Sequence, residues 1–239
     1  MPVDYDAISS AYASSRSANR GVVDELLAHV TLGTESKVLE VGCGTADHIA
    51  ALIDACGCNG WGVEPSAGMR GHAPTIDRLQ LVAGTAEAIP FAAGFFDFIF
   101  TVNVAHHMQD VAAYFREAKR VLKPDGTLCT VTESTEMIRN RNPLSHYWPA
   151  TIEPELARYP TVETLLNAMQ QAGFSDPASH NIGTPVAIAD SNAYRQKAYS
   201  SLLLISDAEF ETGLKQLESD LQSGPVAGNS EYVCIWGTV

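Results

Sequence analysis

The sequence predicts an α/β fold built on a parallel, doubly wound sheet. Three observations carry this expectation. Short apolar runs alternate with amphipathic helical stretches, and a glycine-rich loop joins the first run to its helix. The stretch from Phe95 to Val104 is nearly all apolar, as a strand covered on both faces must be. With 239 residues, 46% of them hydrophobic and 18% charged, the chain fits one large domain with a modest cap.

The first thirty residues read as helix, because Val22, Val23, Leu26, Leu27 and Val30 recur at helical spacing. Lys37 to Val41 is a short apolar strand, and the helix after the loop turns Ile49, Ala50, Leu52, Ile53 and Cys56 inward. Trp61-Gly62-Val63 forms the second strand, Pro65-Ser66 starts a helix, and Leu79 to Val82 is the third strand. Asp110 caps a helix whose Val111, Phe115, Ala118 and Leu122 make one buried stripe. Pro124-Asp125-Gly126 then turns the chain into Leu128 to Thr132. Beyond Glu133 the rhythm loosens. Thr164 to Ala172, Asn192 to Ile205 and Asp207 to Leu221 read as helices, and Tyr232 to Val239 as the final strand.

A formal charge of −13 opposes a nucleic-acid partner, since Arg139 with Arg141 is the nearest thing to a basic cluster. No apolar run reaches the roughly 18 to 20 residues of a membrane span, and Met1 to Asp6 lacks a basic leader, so a cytoplasmic location is expected. The five cysteines are an odd number and read as reduced thiols; Cys56-Gly57-Cys58 lacks the second ligand pair of a structural zinc site.

The loop Glu40 to Ala46 lies between a strand and a helix, where an open α/β sheet places its ligand crevice. Glu64 closes the next strand about 20 residues on, where a carboxylate can accept from ribose hydroxyls. Asp47 puts a negative charge at the helix start, which opposes a pyrophosphate and tolerates a cationic sulfonium ligand.

Together these segments resemble the class I S-adenosylmethionine-dependent methyltransferases, in particular the small-molecule branch that includes ubiquinone and menaquinone biosynthesis enzymes. Val38 to Thr45 looks like the first motif of that family, Gly62 to Ser66 like its second, and Gly84 to Phe91 like its adenine-side motif. Phe96-Asp97-Phe98-Ile99, His106 to Asp110 and Arg120 to Gly126 follow in the family's order. The resemblance implies a seven-stranded, mostly parallel Rossmann-like sheet with an antiparallel last strand and a helical cap. It also implies S-adenosylmethionine as cofactor and methyl transfer to a small-molecule acceptor. One domain, 1–239, would then comprise an N-terminal helical lid at 1–31, a cofactor core at 36–133, acceptor-side helical insertions at 134–225 and a final strand at 232–239.

Carried over by motif, Glu40 and the backbone of Gly42, Cys43 and Gly44 face the methionine part, and Glu64 with Pro65 faces the ribose. Asn103 lies beneath the sulfonium, with Tyr12 on the edge and Arg16 as partner of the methionine carboxylate. Two departures stand out. Ala46 replaces a frequent third glycine and is expected to fit helical backbone, while Thr85 replaces a common Asp, leaving the Ala86 N–H and Glu87 to meet the adenine. His106 and His107 are the candidate bases at the end of the fourth strand. No ligand spacing joins them to Asp110 and Glu133, so no metal is expected. Arg139, Arg141, His146, Tyr147, Trp148, Tyr194, Arg195 and Tyr199 are candidates for a cap with aromatic walls and cations, suited to a planar or anionic acceptor. Oxygen, nitrogen, sulfur and carbon acceptors all fit the sequence, and no oligomeric state follows from it. A non-enzymatic S-adenosylmethionine or nucleotide sensor and a nicotinamide-dependent oxidoreductase are the alternatives for the same pocket.

Overall fold

The computed structural model describes residues 5–15 and 17–239. In chain order the elements are α1 (Tyr5–Ser15), α2 (Arg20–His29), β1 (Lys37–Val41), α3 (Asp47–Cys56), β2 (Asn59–Val63), α4 (Ala67–Gly71), β3 (Leu79–Val82) and β4 (Phe96–Val102). A 3-10 turn at Ala105–His107 leads to α5 (Val111–Val121) and β5 (Leu122–Thr132). The cap contains α6 (Thr135–Asn140), α7 (Leu144–Tyr147) and α8 (Ile152–Arg158), and α9 (Val162–Gln171) returns to the sheet. Then come β6 (Ser175–Ile188), α10 (Asn192–Arg195), α11 (Asp207–Leu221) and β7 (Val226–Thr238).

The strand order is β3-β2-β1-β4-β5-β7-β6. The first five strands pair in parallel, and β7 runs antiparallel to both β5 and β6. From β1 the chain moves outward through β2 and β3, then returns to β4 on the other side. The order therefore reverses between β1 and β4, which opens a crevice at their C-terminal ends.

Alternation along each strand divides the core. Val38, Phe98, Phe100 and Val131 pack under α2 and α3, whereas Leu39, Val41, Ile99 and Leu128 pack under α5 and α9. Burying a side chain such as Phe98 or Phe100 contributes about 1.5–3 kcal/mol. The cap has a core of its own, in which Trp148, Tyr194, Leu202, Phe210, Leu214 and Leu217 meet. There Trp148 Nε1 donates to the Phe210 carbonyl at 2.9 Å. A Cβ on Gly213 would overlap that indole.

The expected doubly wound sheet, antiparallel last strand and helical cap are all present. The local departures have physical causes. The N-terminal helix is broken where the Asn19 side chain accepts from Val22 N at 3.1 Å and starts α2. The stretch 192–205 forms only α10 and a 3-10 turn at Ser200–Leu203. Strand β6 lies within 134–225, the span read from sequence as helical insertions. It is one of the two edge strands, largely exposed, and carries Pro177 and Pro185, which an edge tolerates but which erase the strand signature. Its partner β7 begins at Val226 rather than Tyr232. Strand β5 absorbs Pro124-Asp125-Gly126 as an irregular stretch, with Asp125 at φ 64°.

Candidate functional site

The loop after β1 turns into α3 through left-handed backbone at Gly42 (φ 69°) and Gly44 (φ 54°), a region glycine reaches without penalty. A Cβ on Gly42 would strike Val104 at 2.6 Å, whereas one on Gly44 would meet only Tyr12 Cε1, at 4.0 Å. Ala46 is also left-handed, at φ 63°, and so does not have the helical backbone expected of it. It gives α3 no side-chain cap, and Glu40 takes over that role: its Oε2 accepts from Ile49 N at 3.1 Å. The Glu40 carboxyl is buried, which pushes its pKa well above the ordinary value, and Asp47 and Glu64 add to the rise. His48 Nε2 accepts from Asn19 N at 3.1 Å, so the ring proton sits on Nδ1, 3.7 Å from Glu40 Oε1. The start of α2 is thus tied to the loop.

Glu64 closes β2 with Oε2 accepting from Gly44 N at 3.0 Å and Oε1 from Ser66 N at 2.9 Å. Burial raises its pKa despite these two donors. Arg70 donates to the carbonyls of Glu64 and Pro65. Helix α1 lies across these residues. Asp6 Oδ1 accepts from Ser66 Oγ at 2.6 Å and from Gly68 N at 2.7 Å, while Tyr5 Oη is 2.7 Å from His107 Nε2. Exposed Thr85 closes a tight turn with Ala88, buried Ala86 lies within it, and Glu87 Oε1 accepts from Gln109 N at 2.8 Å.

Between the loop and the cap is a cavity of 520 Å³, inside the ~300–1,000 Å³ range of small-molecule sites. It brings together Glu40, Gly42, Cys43, Gly44, Tyr12, Asn103 and His106. Glu64, Pro65, Thr85, Ala86, Glu87 and His107 do not line it, although Glu64 reaches its edge through Gly44. Arg16 lies outside the described residues.

Asn103 adopts φ 55° at the end of β4 and leaves its buried Oδ1 without a hydrogen-bond partner. His106 stacks on Tyr159 at 4.0 Å and 13°, with Nδ1 buried and unpartnered. Burial, followed by His107 and the nearby arginines, holds the His106 imidazole well below its usual pKa. His107 is exposed on one side but crowded by Tyr5 and His106, and desolvation and then Arg158 bring it to about 4. The Cys43 thiol is pushed well up by burial, with Glu40 and Glu64 adding repulsion, so it remains protonated at neutral pH.

The cavity floor is an ionic network. Glu133 Oε2 accepts from Arg141 Nη1 at 3.2 Å and Tyr159 Oη at 3.1 Å, and Arg141 Nη2 is 3.0 Å from Glu155 Oε2. Arg158 also pairs with Glu155 and donates to Ser200 Oγ at 2.9 Å. Of the expected cap residues, Arg141, Tyr194 and Tyr199 line the cavity. Tyr147 and Trp148 belong to the cap core, whereas Arg139 and Arg195 pair with Glu153 and Glu218 at the surface, and His146 is exposed. Sequence reasoning missed His48, Asn142, Glu155, Arg158, Tyr159 and Ser201. Only Glu155 and Arg158, three residues apart, carried a local signal.

The family model for a methyltransferase domain matches residues 13–177. The demethylmenaquinone methyltransferase of Bacillus pumilus is 25% identical over 183 residues, covering 66% of this chain and 78% of that protein. A putative methyltransferase from an antibiotic biosynthesis pathway of Anabaena variabilis shares the fold with a TM-score of 0.75 at 21% identity, over 94% of this chain and 99% of that one. Phosphoethanolamine N-methyltransferase 2 of Haemonchus contortus, solved with S-adenosyl-L-methionine, superposes with a TM-score of 0.66 at 17% identity, over 98% of this chain and 57% of that one. None of these similarities favours the sensor or the nicotinamide-dependent oxidoreductase. With its sheet order, its glycine loop and a family match spanning more than half its length, the chain belongs to the methyltransferase domain family and is a class I S-adenosylmethionine-dependent methyltransferase.

Proposed function

We propose that this enzyme methylates a small, uncharged polar acceptor held in the cavity between the glycine loop and the helical cap. The observation that carries this reading is a set of buried polar atoms without hydrogen-bond partners on the cavity lining: His106 Nδ1, Arg141 Nε, Asn142 Oδ1 and Ser201 Oγ. Leaving such a group unsatisfied costs about 1–3 kcal/mol, so a ligand offering both donors and acceptors relieves several costs at once. Charge argues against an anionic acceptor. The lining carries Glu40, Asp47, Glu133, Glu155 and Glu231 against Arg20 and Arg141, and Arg141 is already paired. Stacked Tyr194 and Tyr199 supply a flat wall, which supports a planar acceptor.

The cofactor residues fit the chemistry of S-adenosylmethionine. Buried Glu40 suits its ammonium, the open face of Gly44 admits a ligand close to backbone, and the unpartnered Asn103 Oδ1 offers a dipole beside a cation. Glu64 and Pro65 would hold the ribose, Thr85, Ala86 and Glu87 would edge the adenine, and α1 with Tyr12 would cover the pocket. When bound, the cofactor supplies a methyl group on a positively charged sulfur, which an acceptor atom displaces in line. The protein's part is alignment and exclusion of water. His106, kept neutral by its burial, presents Nδ1 as an acceptor for a hydroxyl or amine proton of the substrate. His107, held by Tyr5, positions α1. The five free thiols support a reducing, cytosolic setting, and the net charge supports a small molecule over nucleic acid.

Calorimetric titration with S-adenosylhomocysteine, followed by methyl-transfer assays on matched neutral and anionic planar acceptors, tests the proposal. Saturable binding with turnover on the neutral set is expected. Turnover confined to anions would overturn the acceptor class.

A further inference from the structure

On the sheet face covered by α2, Glu25, His180 and Cys234 converge with their ligand atoms all within 4.8 Å of one another. They come from three elements. His180 and Cys234 are directly opposed partners in the β6–β7 ladder, so their side chains leave the same face of the sheet. Glu25 sits above them on α2, and His29, four residues later, shares its helix face. One carboxylate oxygen, Glu25 Oε1, lies 2.6 Å from His180 Nε2 and 2.8 Å from His29 Nδ1. Cys234 is fully buried beneath them.

We propose that Glu25, His180 and Cys234, with the His29 ring stacked beside them between His180 and Trp236, form a structural binding site for a zinc-type divalent transition-metal ion. A sulfur, an imidazole nitrogen and a carboxylate oxygen are all donors that zinc takes, and His29 Nδ1, 2.8 Å from the same carboxylate, is the nearest candidate for a fourth. Bonds of about 2.0–2.3 Å place tetrahedral ligand atoms roughly 3.3–3.8 Å apart. Glu25 Oε1, 2.6 Å from His180 Nε2, must therefore draw back from the imidazole as the ion enters. On binding, Cys234 releases its proton to solvent, and thiolate plus carboxylate balance the dication, so no net charge is left buried. A groove lined by Asn19, Asp24, Glu25, Thr184, Ser230 and Tyr232 reaches the cluster at Glu25, and the half-exposed His180 side chain meets solvent directly, which gives the ion its path in. The bound ion clamps α2 to β6 and β7. It thereby fastens the edge strand, whose own sequence favours a strand least.

The test is titration of tag-free, chelator-stripped protein with Co²⁺, followed by Zn²⁺. The expected result is one equivalent of cobalt per chain with thiolate-to-cobalt charge-transfer absorption in the near ultraviolet, displaced by zinc, and a higher Tm with zinc. Cys234→Ser should abolish the band, and Cys56→Ser should keep it. His180→Ala and Glu25→Gln, both at partly exposed positions where folding tolerates change, should each weaken binding about tenfold or more. Retained S-adenosylhomocysteine binding certifies the fold of each variant independently of the metal. If folded wild-type protein shows no cobalt–thiolate band, or if the band survives both Cys234→Ser and His180→Ala, the cluster is only a hydrogen-bonded carboxylate–histidine group and the proposal is wrong.

Discussion

Two carboxylates in the site do structural work before any ligand arrives. Glu64 accepts from the Gly44 and Ser66 amides, and Glu40 caps α3 in place of Ala46. Glu64→Ala removes charge-assisted hydrogen bonds and should weaken S-adenosylmethionine binding by about 1.5–3 kcal/mol, read by calorimetry. An unchanged affinity would remove Glu64 from the site. Because burial raises the Glu40 pKa, pairing with the cofactor's ammonium should lower it again, so proton release on binding should grow as the pH falls toward the carboxylate range. Titrations in buffers of different ionisation enthalpy should show proton release, absent in Glu40→Gln. The two histidines separate by position: His106 faces the cavity and His107 faces Tyr5. His106→Ala should lower kcat about 10²–10⁴-fold with cofactor affinity intact if its Nδ1 takes the acceptor's proton. His107→Ala should mainly raise the cofactor Kd by loosening α1. At this scale the motif residues were legible because a strand-to-helix turn announces them locally. His48 and Tyr159 were not, since their roles depend on neighbours distant in sequence: Asn19 for the one, His106 and Glu133 for the other.

Among the elements, the cap depends on one close approach. Gly213 on α11 admits the Trp148 indole, which carries the cap's apolar core and donates to Phe210. Gly213→Ala should destabilise the protein by about 1–3 kcal/mol through overpacking. Because the cap and the glycine loop are separate elements, the acceptor KM should rise more than the S-adenosylhomocysteine Kd. Equal changes in both would show that the cap is coupled to the cofactor pocket. Helices α9 and α11 were readable from their periodicity, as was the apolar β4. Strand β6 was not, because its exposed edge position removes the need for apolar alternation and tolerates two prolines.

For the whole molecule, the buried titratable groups set opposing pH dependences. His106 and His107 have folded pKa values below the usual 6.5, so their contribution to stability is complete above that pH and is lost as pH falls, for His107 down through about 4. Glu40 and Glu64 have folded values above the usual 4.5, so the folded state binds more protons than the unfolded and stability falls as pH rises from 4.5 through the raised values. Urea midpoints of Glu40→Gln should therefore fall less than those of the wild type as pH rises above 4.5, and those of His107→Gln should fall less as pH drops from 6.5 toward about 4. A wild-type curve unaltered by both changes would contradict these assignments.

The doubly wound sheet, its glycine loop and the acid at the end of β2 followed from the chain by itself, because hydrophobic periodicity and turn chemistry are local properties written in consecutive residues. The left-handed Ala46, the ionic floor of Glu133, Arg141, Glu155 and Arg158, and the meeting of Glu25 and His29 with His180 and Cys234 were decided only by tertiary structure. Each depends on side chains brought together from separate elements by strand register and helix docking, and sequence spacing carries no record of that convergence.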